Sequence, residues 1–176
     1  MNQSITTTQT NKPTTRSFLD LIKEKQAVKA RCLLLDTSGS MSGHCDDGRT
    51  QIAALRQLVE DFPGERKFIF NDVCYESTTI PAPDRGTSLC LALGTIKSQG
   101  ITHAVLMTDG APTDTGGDPE NVYRAAEGLR LDIFYVGPGE PPPLLIELAK
   151  RTGGTFGASN LKETKALSQQ IRGLLT

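Results

Sequence analysis

Four short stretches of this 176-residue chain restrict its architecture most: "KARCLLLD" (29–36), "KFIFND" (67–72), "HAVLMTDG" (103–110) and "LDIFYVG" (131–137). Each is an apolar run without polar alternation, the pattern of a strand covered on both faces. Helical spacing fills the intervals. Ile52, Leu55, Leu58, Val59 and Phe62 recur on one face until Pro63-Gly64 stops them. Leu89, Leu93 and Ile96 share a face, with Gly100 past the end. Asp118-Pro119 opens a helix carrying Val122, Ala125, Ala126 and Leu129. "PPPLLIELAKRTGG" and "KETKALSQQIRGLL" supply two more helices, and "TFGAS" a short edge strand between them. Near the start, Ser17 and Asp20 form a capping signal for a helix in "SFLDLIKEKQA". "VCYESTTI" (73–80) follows "KFIFND" too closely for a helical crossover, so those two strands pair antiparallel. The expected fold is a doubly wound, Rossmann-like α/β three-layer sandwich. Its six-stranded sheet is mostly parallel, with one antiparallel edge strand. In the common strand order the first and fourth strands are neighbours. Asp36 and Asp109, which end them, then stand on the same rim.

One domain accounts for this pattern, with residues 17–176 as its extent and residues 1–16 as a polar, Thr-rich tail read as disordered. A formal net charge of −1 and the lack of tryptophan leave no electrostatic or stacking surface for nucleic acid, and no charge for an anionic membrane. No apolar run approaches the roughly 18 residues of a membrane span, and the N-terminus has no hydrophobic core of a secretory signal. The expected location is the cytoplasm, where thiols stay reduced. Cys32, Cys45, Cys74 and Cys90 show no paired metal-binding spacing and read as small hydrophobes or exposed thiols.

The loop after the first strand poses a chemical question. "LLLDTSGSMSG" (33–43) passes directly from a buried strand to Asp36, Thr37, Ser38 and Ser40. Such groups are costly to bury alone. "MTDGAPTD" adds Asp109 to the rim, and "PDRGTSL" places Thr87 at the start of the third helix. Two carboxylates and three hydroxyls are hard oxygen ligands. Such a set suits magnesium best, with manganese or calcium as alternatives. Gly39 is expected to allow a tight bend between the serines.

"DTSGSM", "GTSL" and "TDG" together resemble the von Willebrand factor A (VWA) domain and its metal-ion-dependent adhesion site (MIDAS), a D-x-S-x-S motif followed by a threonine and an aspartate. Asp36, Ser38, Ser40, Thr87 and Asp109 match that motif in order, and the resemblance spans roughly residues 28 to 175. It implies a metal-dependent protein-interaction module in which a partner's Asp or Glu completes the coordination of the cation. Intracellular bacterial or phage members are the nearest in kind. For these the resemblance implies an adaptor beside separate partner chains, such as an AAA-type ATPase of the MoxR group.

"SGHCDDGR" (42–49) is longer than the family's usual link to the first helix. It brings His44, Cys45, Asp46 and Asp47 near the expected site, either as extra ligands or as a solvated polar loop. His103 reads as structural, and Asp72 and Asp114 as turn formers. The competing class is a magnesium-dependent hydrolase or phosphotransferase on the same aspartate rim. It would need a nucleophile with a general acid beside it. Ser38 stands where a phosphoaspartate enzyme would carry a second aspartate, no lysine follows Asp109, and no phosphate-binding Gly-Lys loop exists. The expectation is therefore a binding protein and not an enzyme.

Overall fold

The structure, a computed structural model, describes residues 30–45, 47–159, 161 and 164–175, together with residues 17, 19, 20, 22, 23 and 26. The expected tail, residues 1–16, lies outside the described residues, as does Asp46. The strands are β1 (Arg31–Asp36), β2 (Lys67–Phe70), β3 (Cys74–Glu76), β4 (His103–Thr108), β5 (Arg130–Tyr135) and β6 (Phe156–Ala158). The helices that follow Gly43 are α1 (Gln51–Val59), α2 (Leu89–Ser98), α3 (Glu120–Ala125), α4 (Pro143–Arg151) and α5 (Thr164–Leu174). Residues 19, 20, 22, 23 and 26 are also helical. There Ser17 Oγ accepts the Leu19 N–H at 3.1 Å and Asp20 accepts the Ser17 N–H at 3.2 Å, the reciprocal cap that the sequence signals.

The sheet order is β3-β2-β1-β4-β5-β6, with β3 antiparallel to β2 and every other pair parallel. Sheets of this kind must be covered on both sides, and the core divides accordingly. Leu34, Phe68, Leu106 and Ile133 meet Leu93, Val122 and Leu148 of α2, α3 and α4 on one face. Leu33, Leu35, Val105 and Phe134 meet Leu55, Leu58 and Ile171 of α1 and α5 on the other. Successive residues of β1 therefore enter different cores, which is why the strand is apolar from Cys32 to Leu35, between the half-buried Arg31 and the buried Asp36.

Two elements are shorter than the periodicity predicts. The strand expected over 73–80 ends at Glu76, because Ser77 Oγ donates to the Thr79 carbonyl and accepts the Thr79 N–H, closing a local turn. The helix expected to run to Leu129 ends at Ala125, and the chain turns through Gly128 at φ +81°. Among the described residues no helix is long and apolar enough to cross a membrane.

Candidate metal centre

The β1 and β4 ends lie side by side, with Leu35 paired to Met107. This brings Asp36 and Asp109 to one rim of the sheet. Leaving β1, the chain makes a single 3-10 turn at Gly39–Ser42. Met41, fully buried among Leu33, Leu35 and Leu55, pins that turn to the core. Ser38 and Ser40 are held on either side of Gly39 as a result. The tight bend expected at Gly39 is this 3-10 turn, and it is made without a positive φ. What it permits is a close approach: its N–H donates to the Arg85 carbonyl at 2.9 Å, and a Cβ there would sit 3.3 Å from that oxygen.

Four of the five expected ligands form one hydrogen-bonded chain. Asp36 accepts the Ser38 N–H at 2.8 Å, Ser38 Oγ and Ser40 Oγ are 3.1 Å apart, and the Ser40 hydroxyl donates to Asp109 Oδ1 at 2.7 Å. Ser40 has one proton and directs it to Asp109, so towards Ser38 its oxygen can only accept, and the Ser38 hydroxyl stands between Ser40 and the Asp36 carboxylate, whose pKa it lowers. The Asp109 carboxylate also draws on its own backbone N–H. Thr87 stands apart from this chain. Its backbone N–H donates to Thr113 Oγ1 at 3.1 Å, but its hydroxyl makes no hydrogen bond among the described residues. Its loop is nonetheless tied to the rim through Arg85 and Gly39. Gly86 fits because a Cβ would fall 2.7 Å from Asp72 Oδ1, which accepts the Gly86 N–H at 3.1 Å.

Thr108 is a site residue that the motif does not mark. Its hydroxyl donates to Asp36 Oδ2 at 2.6 Å, so both oxygens of the fully buried Asp36 are occupied. The signal was present in "MTDG", a hydroxyl next to the aspartate at a strand end, but only the β1–β4 pairing brings it to Asp36. Gly137 is similar. A Cβ there would collide with the Asp109 carbonyl oxygen, so the turn after β5 packs directly beneath the second aspartate.

Burial raises the pKa of Asp36 to about 6, against the opposing hydrogen bonds from Ser38 and Thr108, and Asp109 adds a small upward push. Burial also raises Asp109, while the Ser40 hydroxyl opposes it. No basic side chain contributes to either shift. Two buried carboxylates without a cationic neighbour, surrounded by hydroxyls, are a donor set suited to a hard divalent cation. Among the described residues no three His, Cys, Asp or Glu side chains cluster as a metal cage. A cation here would therefore depend on the serine and threonine hydroxyls, on water, and on a ligand from elsewhere.

The remaining candidates are structural. His44 bridges to Thr50 and Cys45 N–H donates to the Arg49 carbonyl, which draws 43–45 and 49–51 together as the arms of a small hairpin. In it Asp47 pairs with Arg49, at 2.6 Å, rather than with the rim. Asp114 accepts the N–H groups of Cys90 and Leu91 at the start of α2. His103, at the opposite end of the sheet, is 2.6 Å from the fully buried Asp132. Burial pushes Asp132 up, but His103, Thr155 and Arg130 together outweigh it and hold the carboxyl below its usual range. All four cysteines are free thiols. Burial pushes Cys74 to about 12 and Cys90 to about 11 and raises Cys32 further, so these three are protonated near neutrality.

No protein-family model matches the chain, and no curated protein matches it in sequence. Among solved structures it is similar to proximal thread matrix protein 1 from the mussel byssus, at 17% identity and a TM-score of 0.58, over 82% of this chain and 44% of that one. A second structure of that protein, with a zinc-occupied MIDAS motif, gives 17% identity and a TM-score of 0.57 over the same shares. The VWA domain of SpRpn10 is similar at 11% identity and a TM-score of 0.56, over 77% of this chain and 93% of that one. The chain thus spans less than half the length of the byssus protein. At these identities the likeness bears on architecture: the six-stranded sheet, its antiparallel edge and its flanking helices are the fold of a VWA domain.

Proposed function

We propose that the chain is a metal-dependent protein-interaction module that binds an Asp or Glu of a partner protein at the rim formed by Asp36, Ser38, Ser40, Thr87 and Asp109. The observation that carries this reading is the pair of buried rim carboxylates, linked through two serine hydroxyls and lacking any basic partner. A bound magnesium, manganese or calcium ion would supply the positive charge that the two carboxylates lack, and a partner's carboxylate would complete its coordination. The chain's own groups prepare that site. Asp36 holds the Ser38 backbone and the Thr108 hydroxyl in place, and Asp109 takes the Ser40 proton. Lone pairs of the serine oxygens stay available as a result. The zinc-occupied MIDAS motif of the byssus protein lends support by analogy of fold.

Binding is favoured over hydrolysis or phosphoryl transfer because the hydroxyl–carboxylate contacts at the rim, Ser40 to Asp109 and Thr108 to Asp36, have no histidine, lysine or thiolate bonded to them among the described residues to serve as a general acid. His103 is engaged with Asp132 away from the rim, His44 lies in the hairpin, and Cys32, Cys74 and Cys90 are held protonated. The partner is a separate protein chain, with an AAA-type ATPase of the MoxR group as the class that the family resemblance points to. Nucleic acid and membranes are not partners in this reading. Calorimetric titration with magnesium, manganese and calcium tests the site. Affinity capture in magnesium, eluted by EDTA, tests the partner. Binding of at least one cation, lost in Ser40→Ala, is the expected result. Failure to bind any of the three, or metal-dependent turnover of phosphate esters abolished in the same variant, would overturn it.

A further inference from the structure

Beside the rim lies a groove of about 320 Å³ that the metal chemistry does not use. Its floor is Thr37, Ile69 and Phe70, all buried, and its walls are Val73, Tyr75 and Pro81. Val73 and Tyr75 are 46% and 49% exposed, and they are two of only six large hydrophobic side chains exposed among the described residues. Isolated exposed apolar residues are ordinary, but two on one concave surface are less so. The charged groups at its lip, Asp84 and Arg85, pair with each other at 3.3 Å and leave no unmatched charge for a polar ligand.

The groove adjoins the rim along the chain and through backbone hydrogen bonds of Thr37 and Gly39. The outer wall belongs to the linker 77–88, which joins β3 to α2 without regular secondary structure. Connections of that length within a compact domain are commonly binding segments. This one is fastened at both ends of the groove. Arg56 of α1 donates to the Ile80 and Pro81 carbonyls, at 3.0 and 2.7 Å. Asp84 N–H donates to the Thr37 carbonyl at 3.0 Å, and the Arg85 carbonyl accepts from Gly39 at 2.9 Å. Thr37, in the floor, is the residue immediately before Ser38. A polypeptide crossing from the rim into the groove would advance about 3.3–3.6 Å per extended residue, so a few residues cover the step.

We infer that this groove selects the partner. It takes an aromatic or branched apolar side chain of a polypeptide whose Asp or Glu, a few residues away, is bound at the rim. The inference rests on the reading given under Proposed function and adds the partner's second determinant to it.

A library of random 12-residue peptides displayed on phage, selected on the immobilised protein in magnesium and eluted with EDTA, tests it. Affinities of the recovered peptides are then measured by fluorescence anisotropy with synthetic copies. The expected peptides carry an acidic residue and an apolar one at constant spacing. Val73→Ser and Tyr75→Ser should each weaken them by about tenfold, while magnesium affinity and thermal midpoint stay at wild-type values. Ile146→Ser, which removes an exposed apolar side chain on α4, should have no effect. Acidic peptides without a constant apolar neighbour, or apolar ones indifferent to both groove variants, would overturn the groove and leave the rim reading standing. A selection that yields no EDTA-released acidic peptides would overturn the rim reading and the groove with it.

Discussion

Asp36 carries two roles that oppose each other. Its oxygens satisfy the Ser38 N–H and the Thr108 hydroxyl, yet its charge is buried without a counter-ion. The folded-state pKa of about 6 lies above the ordinary 3.8. For an acid this means that the native state holds the proton more tightly than the unfolded chain. Stability is therefore lost as pH rises from about 4 to about 6 and stays lower above that, by about 3 kcal/mol for a shift of this size. Asp109 shifts in the same direction. Asp132, Asp47 and Glu76 are held below their ordinary values, so their contributions are lost only at more acidic pH. In EDTA the thermal midpoint should fall between pH 4.5 and 7, and saturating magnesium should reverse that fall by mass action. Scanning calorimetry across this range checks both slopes. Asp36→Asn removes the charge but can keep both hydrogen bonds, since its amide nitrogen can donate to Thr108. In EDTA at pH 7 it should raise the midpoint by a few degrees and lose the magnesium response. Asp36→Ala is the poorer test, because it leaves two buried donors without acceptors.

At the scale of elements, the rim is assembled by loops that borrow their anchors from one another. The start of α2 has no cap from its own N-cap side chain, and Asp114, from the loop after β4, accepts the Cys90 and Leu91 N–H groups instead. A carboxylate at a helix N-terminus also meets the favourable end of the helix dipole. Asp114→Ala should cost about 1 kcal/mol, in line with losses of N-terminal caps, read from urea unfolding. Because only Ser88 separates Thr87 from α2, the same variant should weaken magnesium binding measurably without abolishing it, checked by calorimetric titration. Gly86→Ala tests the neighbouring anchor. Its Cβ would meet Asp72 Oδ1 and Thr113 Oγ1, so Asp72 must give up the Gly86 N–H. Magnesium affinity should fall by more than global stability does, as Thr87 lies on the other side of that peptide bond.

Across the whole molecule, the two ends of the sheet treat their buried carboxylates in opposite ways. The rim end collects carboxylates that burial destabilises. The far end buries Asp132 with compensation, accepting from the Thr155 N–H at 2.7 Å and its hydroxyl at 2.9 Å, beside His103 and Arg130. That cluster joins β4, β5 and the entry to β6. Asp132→Ala should destabilise the fold by about 3 kcal/mol, as expected when one member of a buried pair is removed, while magnesium affinity at the rim stays unchanged. Combined urea unfolding and calorimetric titration separate the two effects.

The sequence alone determined the layered architecture, because a strand covered on both faces must be apolar at every position and the helices between must carry one apolar stripe. The short gap after "KFIFND" placed the antiparallel hairpin, and the common strand order of such sheets placed β1 beside β4 and Asp36 and Asp109 on one rim. The order Asp36, Ser38, Ser40, Thr87, Asp109 was equally readable, since a motif is a property of the chain. Tertiary structure alone decided which groups meet. Thr108 reaches Asp36 only because β4 lies beside β1, Asp114 caps a helix that begins 25 residues earlier, and Gly39 is required by the Arg85 carbonyl rather than by its own φ. Thr87 lies outside the rim's hydrogen-bonded chain, and its loop is joined to the rim through Arg85 and Gly39. Long-range contacts of this kind depend on sheet order and loop packing, and neither periodicity nor spacing within a single segment encodes them.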